Sequence, residues 1–94
     1  MNIPNEIKRR YVELEDKVDE IFVNDPYWGQ SYHKEKFIHR VSFDISTWFV
    51  YTYYHVNSND VFYKTVNDFH SHMKCIFRGK ILSQWEKVNK KGGL

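Results

Sequence analysis

The stretch that most constrains the fold of this chain is residues 37–56, FIHRVSFDISTWFVYTYYHV, which concentrates aromatic and β-branched side chains. Such residue types favour strands, and from Val41 to Ser46 apolar and polar residues alternate as they do in a half-buried strand. Beyond Thr47 both faces become apolar, so neither face of the strand would remain solvated. The local composition therefore favours a strand without deciding for it.

The same stretch also fits a helix, because at roughly 100° per residue its bulky residues fall within an arc of about 120°. This main stripe comprises Phe37, Ile38, Val41, Ile45, Trp48, Phe49, Thr52 and Val56, and a narrower strip nearly opposite comprises Phe43, Val50 and Tyr54. A strand would need partners, and the other candidate strand, residues 61–66, fits better as the start of a helix. We therefore favour a helix over residues 37–56.

Both flanking segments have helical periodicity. In residues 4–24, apolar side chains recur at alternating spacings of four and three, at Ile7, Tyr11, Leu14, Val18 and Ile21. Residues 60–78 carry a second stripe, formed by Phe62, Val66, Phe69, Met73, Ile76 and Phe77. Ser58 or Asp60 is expected to cap this helix, and Gly79 is expected to end it in a left-handed conformation.

The predicted architecture is all-α, a single domain over residues 1–94. It is a small bundle of three main helices, at about 4–24, 31–56 and 60–78, with a short C-terminal helix at about 80–89 and a frayed tail at 89–94. The alternative is an α+β fold with a β-hairpin between two helices.

Composition indicates the compartment and the kind of partner. One cysteine, Cys75, excludes an intrachain disulfide and fits a reducing compartment. No stretch approaches the roughly 18 apolar residues of a membrane span, and the N-terminus lacks the pattern of a signal peptide. We therefore expect a cytoplasmic protein. Aromatic residues make up 18% of the chain, more than a 94-residue core readily buries, and surplus aromatics are typical of interfaces.

The predicted partner-binding surface is the strip opposite the main stripe of the central helix. It comprises Phe43, Val50 and Tyr54, with Tyr51 at its margin. Trp28, in the segment between the first two predicted helices, is a further candidate contact. We expect stoichiometric binding to another protein or a homodimer, unless the outer helices cover this strip. Small, motif-free chains rich in aromatics are typical of accessory proteins of phages and mobile elements, many of which modulate or inhibit a host protein.

The alternative function is nucleic-acid binding by the C-terminal third. Residues 60–94 carry seven basic and three acidic side chains, whereas residues 1–25 carry four basic and seven acidic ones. The candidate phosphate contacts are Lys74, Arg78, Lys80 and Lys87. These residues are not concentrated on one helix face, and no recognition helix rich in Arg, Asn and Gln follows a tight turn.

No sequence pattern predicts catalysis or a cofactor. His72 and Cys75 lie one helical turn apart, but the other histidines do not complete the paired clusters of a structural metal site. The chain contains no nucleophile-elbow, paired-cysteine or zinc-protease motif and no glycine-rich phosphate loop. We therefore expect no metal, no cofactor and no enzymatic activity.

Overall fold

The computed structural model describes residues 2–24, 30 and 33–92 of the chain. Within these residues it contains four helices, α1 (Ile3–Arg9), α2 (Tyr11–Asn24), α3 (Lys34–Tyr53) and α4 (Asn59–Gly92), and no strand. The predicted all-α bundle is therefore confirmed, and the alternative with a hairpin is not supported.

The stretch with the strongest strand propensity forms α3. Its main stripe is buried at Phe37, Ile38, Val41, Ile45 and Phe49. Ser42 and Ser46 are fully buried as well, although neither serine belongs to the main stripe. Each donates a hydrogen bond of 2.7 Å to the carbonyl four residues earlier, which satisfies its hydroxyl inside the helix. Burial on two sides therefore outweighs the local preference for a strand.

The predicted first helix, residues 4–24, is divided at Arg10, where the backbone has φ −109° and ψ 20°. The sequence here contains no proline or glycine, so local propensity does not explain the break. Tertiary contacts surround it: the Arg10 guanidinium lies 4.3 Å from the centre of the Tyr53 ring, and Tyr11 stacks on Phe77 at 5.1 Å. These contacts join the α1–α2 junction to both α3 and α4.

The predicted division between residues 60–78 and 80–89 is wrong, because α4 is continuous from Asn59 to Gly92. Gly79 has no positive φ and behaves as an ordinary helical residue. The helix continues past it because the apolar stripe does, with Ile81 fully buried and Leu82 and Trp85 partly buried. This packing outweighs the cost of a helical glycine, about 1 kcal/mol. The predicted tail, residues 89–94, therefore begins inside α4.

The turn between α3 and α4 agrees with the sequence. Tyr54 leaves the helix with extended backbone after its N–H bonds the Val50 carbonyl at 3.0 Å. The Ser58 hydroxyl then accepts a hydrogen bond of 3.2 Å from the Val61 N–H, which makes Ser58 the N-cap of α4. Of the two predicted caps, the structure uses Ser58.

The antiparallel pair of α3 and α4 forms the centre of the molecule, and we call their shared contact the α3–α4 seam. Glu35 meets Arg78 at one end, Ser42 meets His70 in the middle, and Phe49 meets Phe69 near the other end. One hydrophobic cluster includes buried residues of all four helices. Among the described residues outside α3, the fully buried apolar ones are Ile7, Leu14, Val18, Val66, Phe69, Met73, Phe77 and Ile81.

Candidate functional site

The predicted strip of Phe43, Val50 and Tyr54 is largely covered by α4. Val50 is 0% exposed and belongs to the core, so its assignment as a partner contact is wrong. Phe43 is half-buried with its ring 5.5 Å from that of His70, and the Tyr54 ring lies 5.3 Å from that of Phe69. The physical reason is that α3 packs on two sides, so α4 covers much of the surface that one amphipathic stripe would leave free.

Two other predicted contacts have different outcomes. Tyr51, at the margin of the strip, is 80% exposed. Trp28 lies outside the described residues. Of the predicted partner contacts that lie within the described residues, Tyr51 is therefore the most exposed.

Tyr51 lines an open groove at the end of the seam, where α3 turns into α4. The groove has a volume of about 560 Å³. We call it the turn groove, and its lining residues are Tyr51, Tyr54, His55, Val56, Asn57, Ser58, Asn59, Phe62 and Tyr63. Tyr63 is 57% exposed, and Val61, which also belongs to the start of α4, is 50% exposed. The two most exposed aromatics among the described residues, Tyr51 and Tyr63, therefore line one concave surface.

Local structure explains why aromatic residues gather here. The end of α3 contributes Tyr51 and Tyr54, and the first turn of α4 contributes Phe62 and Tyr63, whose rings lie edge to face at 5.5 Å. Between them the short capped turn brings the two helix ends close together. Aromatics on both sides of the turn sequence NSND are the signal from which this groove could have been predicted. Phe62 packs against the core, as its place in the predicted stripe indicates, and also lines the groove.

Tyr54, which lines the groove, and its neighbour Tyr53 make polar contacts to α1 and α2. The Tyr54 hydroxyl donates to Glu6 at 3.4 Å, and the Tyr53 hydroxyl donates to Glu13. Burial raises the pKa of Tyr54, and Glu6 acts in the same direction. The hydrogen bond to Glu13 likewise raises the pKa of Tyr53. Both phenols therefore stay protonated as donors, which keeps Tyr54 in place behind the groove.

The turn groove is polar but uncharged in character. Among the described residues its lining contains no Lys, Arg, Asp or Glu, and it combines three tyrosines with Asn57, Ser58, Asn59 and His55. Tyrosine provides a large, rigid contact area with a hydrogen-bonding hydroxyl, while asparagine and serine provide adaptable hydrogen bonds. This composition suits contact with a protein surface better than contact with a phosphate or a metal.

The predicted phosphate-binding residues do not form one surface. Arg78 makes two hydrogen bonds to Glu35, at 2.9 and 2.5 Å, and Lys80 pairs with Asp19 at 2.9 Å. The Arg78 bond lowers the pKa of Glu35. Because each residue of a helix is rotated by about 100° from the one before it, the side chains of Lys80 and Lys87 leave α4 in directions more than about 100° from that of Lys74. Two of the four cations thus connect helices, and the four are divided between two faces.

The described residues offer no metal cluster, since no three potential ligands among them come together. A serine–histidine contact does exist, with Ser42 Oγ 3.1 Å from His70 Nε2. Ser42 is fully buried, however, and its hydroxyl donates to the Ile38 carbonyl. A serine held in this way has no access to a substrate. Cys75 is exposed.

Comparison of the chain with protein-family models, with curated proteins and with solved structures found no significant match. Among the described helices, none has the length and apolar character required to cross a bilayer.

Proposed function

We propose that this protein is a non-enzymatic binding module that attaches stoichiometrically to another protein through the turn groove. The observation that carries the proposal is the exposure of Tyr51 and Tyr63, 80% and 57%, on either side of one concave surface. Tyrosine is enriched among the residues that dominate binding energy at protein interfaces. We infer an accessory role, in which binding modulates or inhibits the partner.

The groove also indicates which part of a partner it would accept. Because the lining residues that the structure describes include no Lys, Arg, Asp or Glu, a charged segment would lose hydration without gaining an ion pair from them. The expected ligand is an uncharged loop or chain end with one apolar or aromatic anchor. The anchor would lie between Tyr51 and Tyr63, and the hydroxyl and amide groups around it would bond the partner's backbone.

The test compares three proteins in parallel pull-downs from a bacterial lysate, with and without nuclease. They are the wild type, the groove variant with Tyr51→Ala and Tyr63→Ala, and an α2 control with Val12→Ala and Val23→Ala. The control residues are similarly exposed, at 68% and 77%, and lie on another helix. A protein retained by the wild type and the α2 control but lost from the groove variant is then purified and titrated.

In that titration the groove variant should bind at least about tenfold more weakly, a difference of about 1.4 kcal/mol. The α2 control should match the wild type, and circular dichroism should give the same helix content for all three. Equal binding by the groove variant would refute the proposal. Retention that disappears with nuclease would point instead to Lys74 and Lys87, which make no ion pair with a carboxylate among the described residues.

Self-association is the remaining outcome, and it is separable by light scattering. A wild-type mass that doubles with concentration, together with a monomeric groove variant, would identify a second copy of this chain as the partner. A wild type that stays monomeric and retains no protein from the lysate would contradict the proposal.

A further inference from the structure

The middle of the α3–α4 seam contains two histidines in contact. The rings of His39 on α3 and His70 on α4 are perpendicular, with centres 4.5 Å apart. His39 is exposed, whereas His70 is half-buried between His39, Phe43 and the buried hydroxyl of Ser42. The pair therefore lies where α3 and α4 are joined, about midway between the two ends of the seam.

The hydrogen bonds of His70 determine which ring nitrogen carries its proton. Nε2 lies 3.3 Å from the His39 carbonyl oxygen, which accepts but cannot donate. Nε2 also lies 3.1 Å from Ser42 Oγ, whose own proton goes to the Ile38 carbonyl at 2.7 Å. The carbonyl contact requires Nε2–H and the Ser42 contact is compatible with it, so the neutral ring leaves Nδ1 as the atom that takes up a second proton.

The surroundings of His70 disfavour that second proton. Burial lowers the pKa of His70 below its usual 6.5; the bond to the His39 carbonyl opposes this effect, and positive charge on His39 and Lys74 adds to it. No carboxylate is among the groups that shift it, and Asp44 of α3 is already paired with Arg40 at 3.4 Å. The neutral form is therefore the one that fits between the helices.

We propose that His39 and His70 form an acid-sensitive latch, which joins α3 to α4 at neutral pH and weakens when the histidines become charged. In the unfolded chain His70 is free of these neighbours and takes up its proton first as the pH falls. Unfolding is then accompanied by proton uptake, so stability is full above about pH 6.5 and declines as the pH falls below it. This response is separate from the turn groove and does not depend on the proposed function.

The first test measures the pKa of each histidine in the wild-type protein by NMR titration of the imidazole carbons. We expect His70 to titrate below 6.5. The His39→Gln substitution should raise the pKa of His70, because it removes a neighbouring positive charge. A His70 that titrates at or above 6.5 would overturn the latch, whatever the variants do.

The second test measures unfolding by denaturant between pH 8 and pH 5 for the wild type, His70→Gln and His72→Gln. Glutamine places an amide N–H near the position of Nε2 but takes up no proton. The wild type should lose more stability than His70→Gln. When pH 8 and pH 5 lie on either side of the whole titration of His70, the size of this additional loss follows from its pKa. The folding equilibrium constant should fall by a further factor of ten for each unit by which the measured pKa of His70 lies below 6.5.

His72, half-buried on the same helix, is the matched control, and His72→Gln should follow the wild type. Carboxylates such as Asp44 titrate in all three proteins, so their contributions cancel in the difference. Identical pH profiles for the wild type and His70→Gln would contradict the latch. Should His70→Gln fail to fold, the NMR titration of the wild type decides the question alone.

Discussion

The α3–α4 seam and the turn groove are formed by the same two helices, yet they treat their aromatic residues in opposite ways. Within the seam, Phe49 and Phe69 pack ring to ring at 5.0 Å and are almost fully buried. A few residues further along, Tyr51 and Tyr63 face solvent. The difference lies in position: aromatic residues between two helices are covered, whereas those on the outer side of the helix ends have no described helix above them.

This contrast shows that an aromatic-rich sequence does not by itself indicate a surface. The chain uses most of its bulky residues as ordinary core, as expected for a small domain that must fill its centre. The candidate surface is what remains at one end of the helix pair. The following substitutions test that division.

The largest expected effect is a difference in stability between aspartate substitutions at two adjacent residues of α3. Val50→Asp would place an unpaired charge in the core and should cost at least about 3 kcal/mol in the free energy of unfolding. Tyr51→Asp should cost no more than about 1 kcal/mol, because that side chain is exposed and the new charge only meets the unfavourable end of the α3 dipole. Thermal melts followed by circular dichroism distinguish the two. Similar losses at both positions would contradict the assignment of Tyr51 to the surface.

A smaller difference in the free energy of unfolding is expected between alanine substitutions of the two buried serines. Both bond a carbonyl of their own helix at 2.7 Å, but Ser42 also accepts a hydrogen bond from His70 of α4. Ser42→Ala should cost about 1 kcal/mol, since it removes this interhelical bond. Ser46→Ala should be close to neutral, because alanine's higher helix propensity offsets the lost local bond. Denaturant unfolding of both variants at pH 8 measures the difference, and a costlier Ser46→Ala would show that Ser42 does not join the helices.

The smallest effect, and one of opposite sign, is expected at Gly79. A Cβ there would meet nothing within 4 Å, and the residue has no positive φ. Gly79→Ala should therefore stabilise the protein by about 0.5–1 kcal/mol, without changing the seam or the groove. A rise in the melting temperature at unchanged helix content is the expected result. A destabilised variant would argue against a continuous α4.

Much of the fold was predictable from the sequence because helical periodicity is local. The stripes over residues 4–24 and 60–78 correctly identify core residues such as Leu14 and Phe69, and the Ser58 cap follows from turn chemistry. The break at Arg10 and the continuation through Gly79 were not predictable in this way. The break depends on contacts with residues more than 40 positions away in the chain. The continuation depends on an apolar stripe that resumes beyond a helix-breaking glycine.

The candidate site was only partly predictable for the same reason. Tyr51 was identified and is exposed, but Val50 was assigned to the same surface and is buried. Hydrophobic pattern distinguishes apolar residues from polar ones; it does not say whether one helix or two will pack on α3. Sequence by itself determined where the apolar stripes lie, since these depend on residue spacing alone. Tertiary structure alone decided which stripes are shared between helices, and therefore which aromatics remain in contact with solvent.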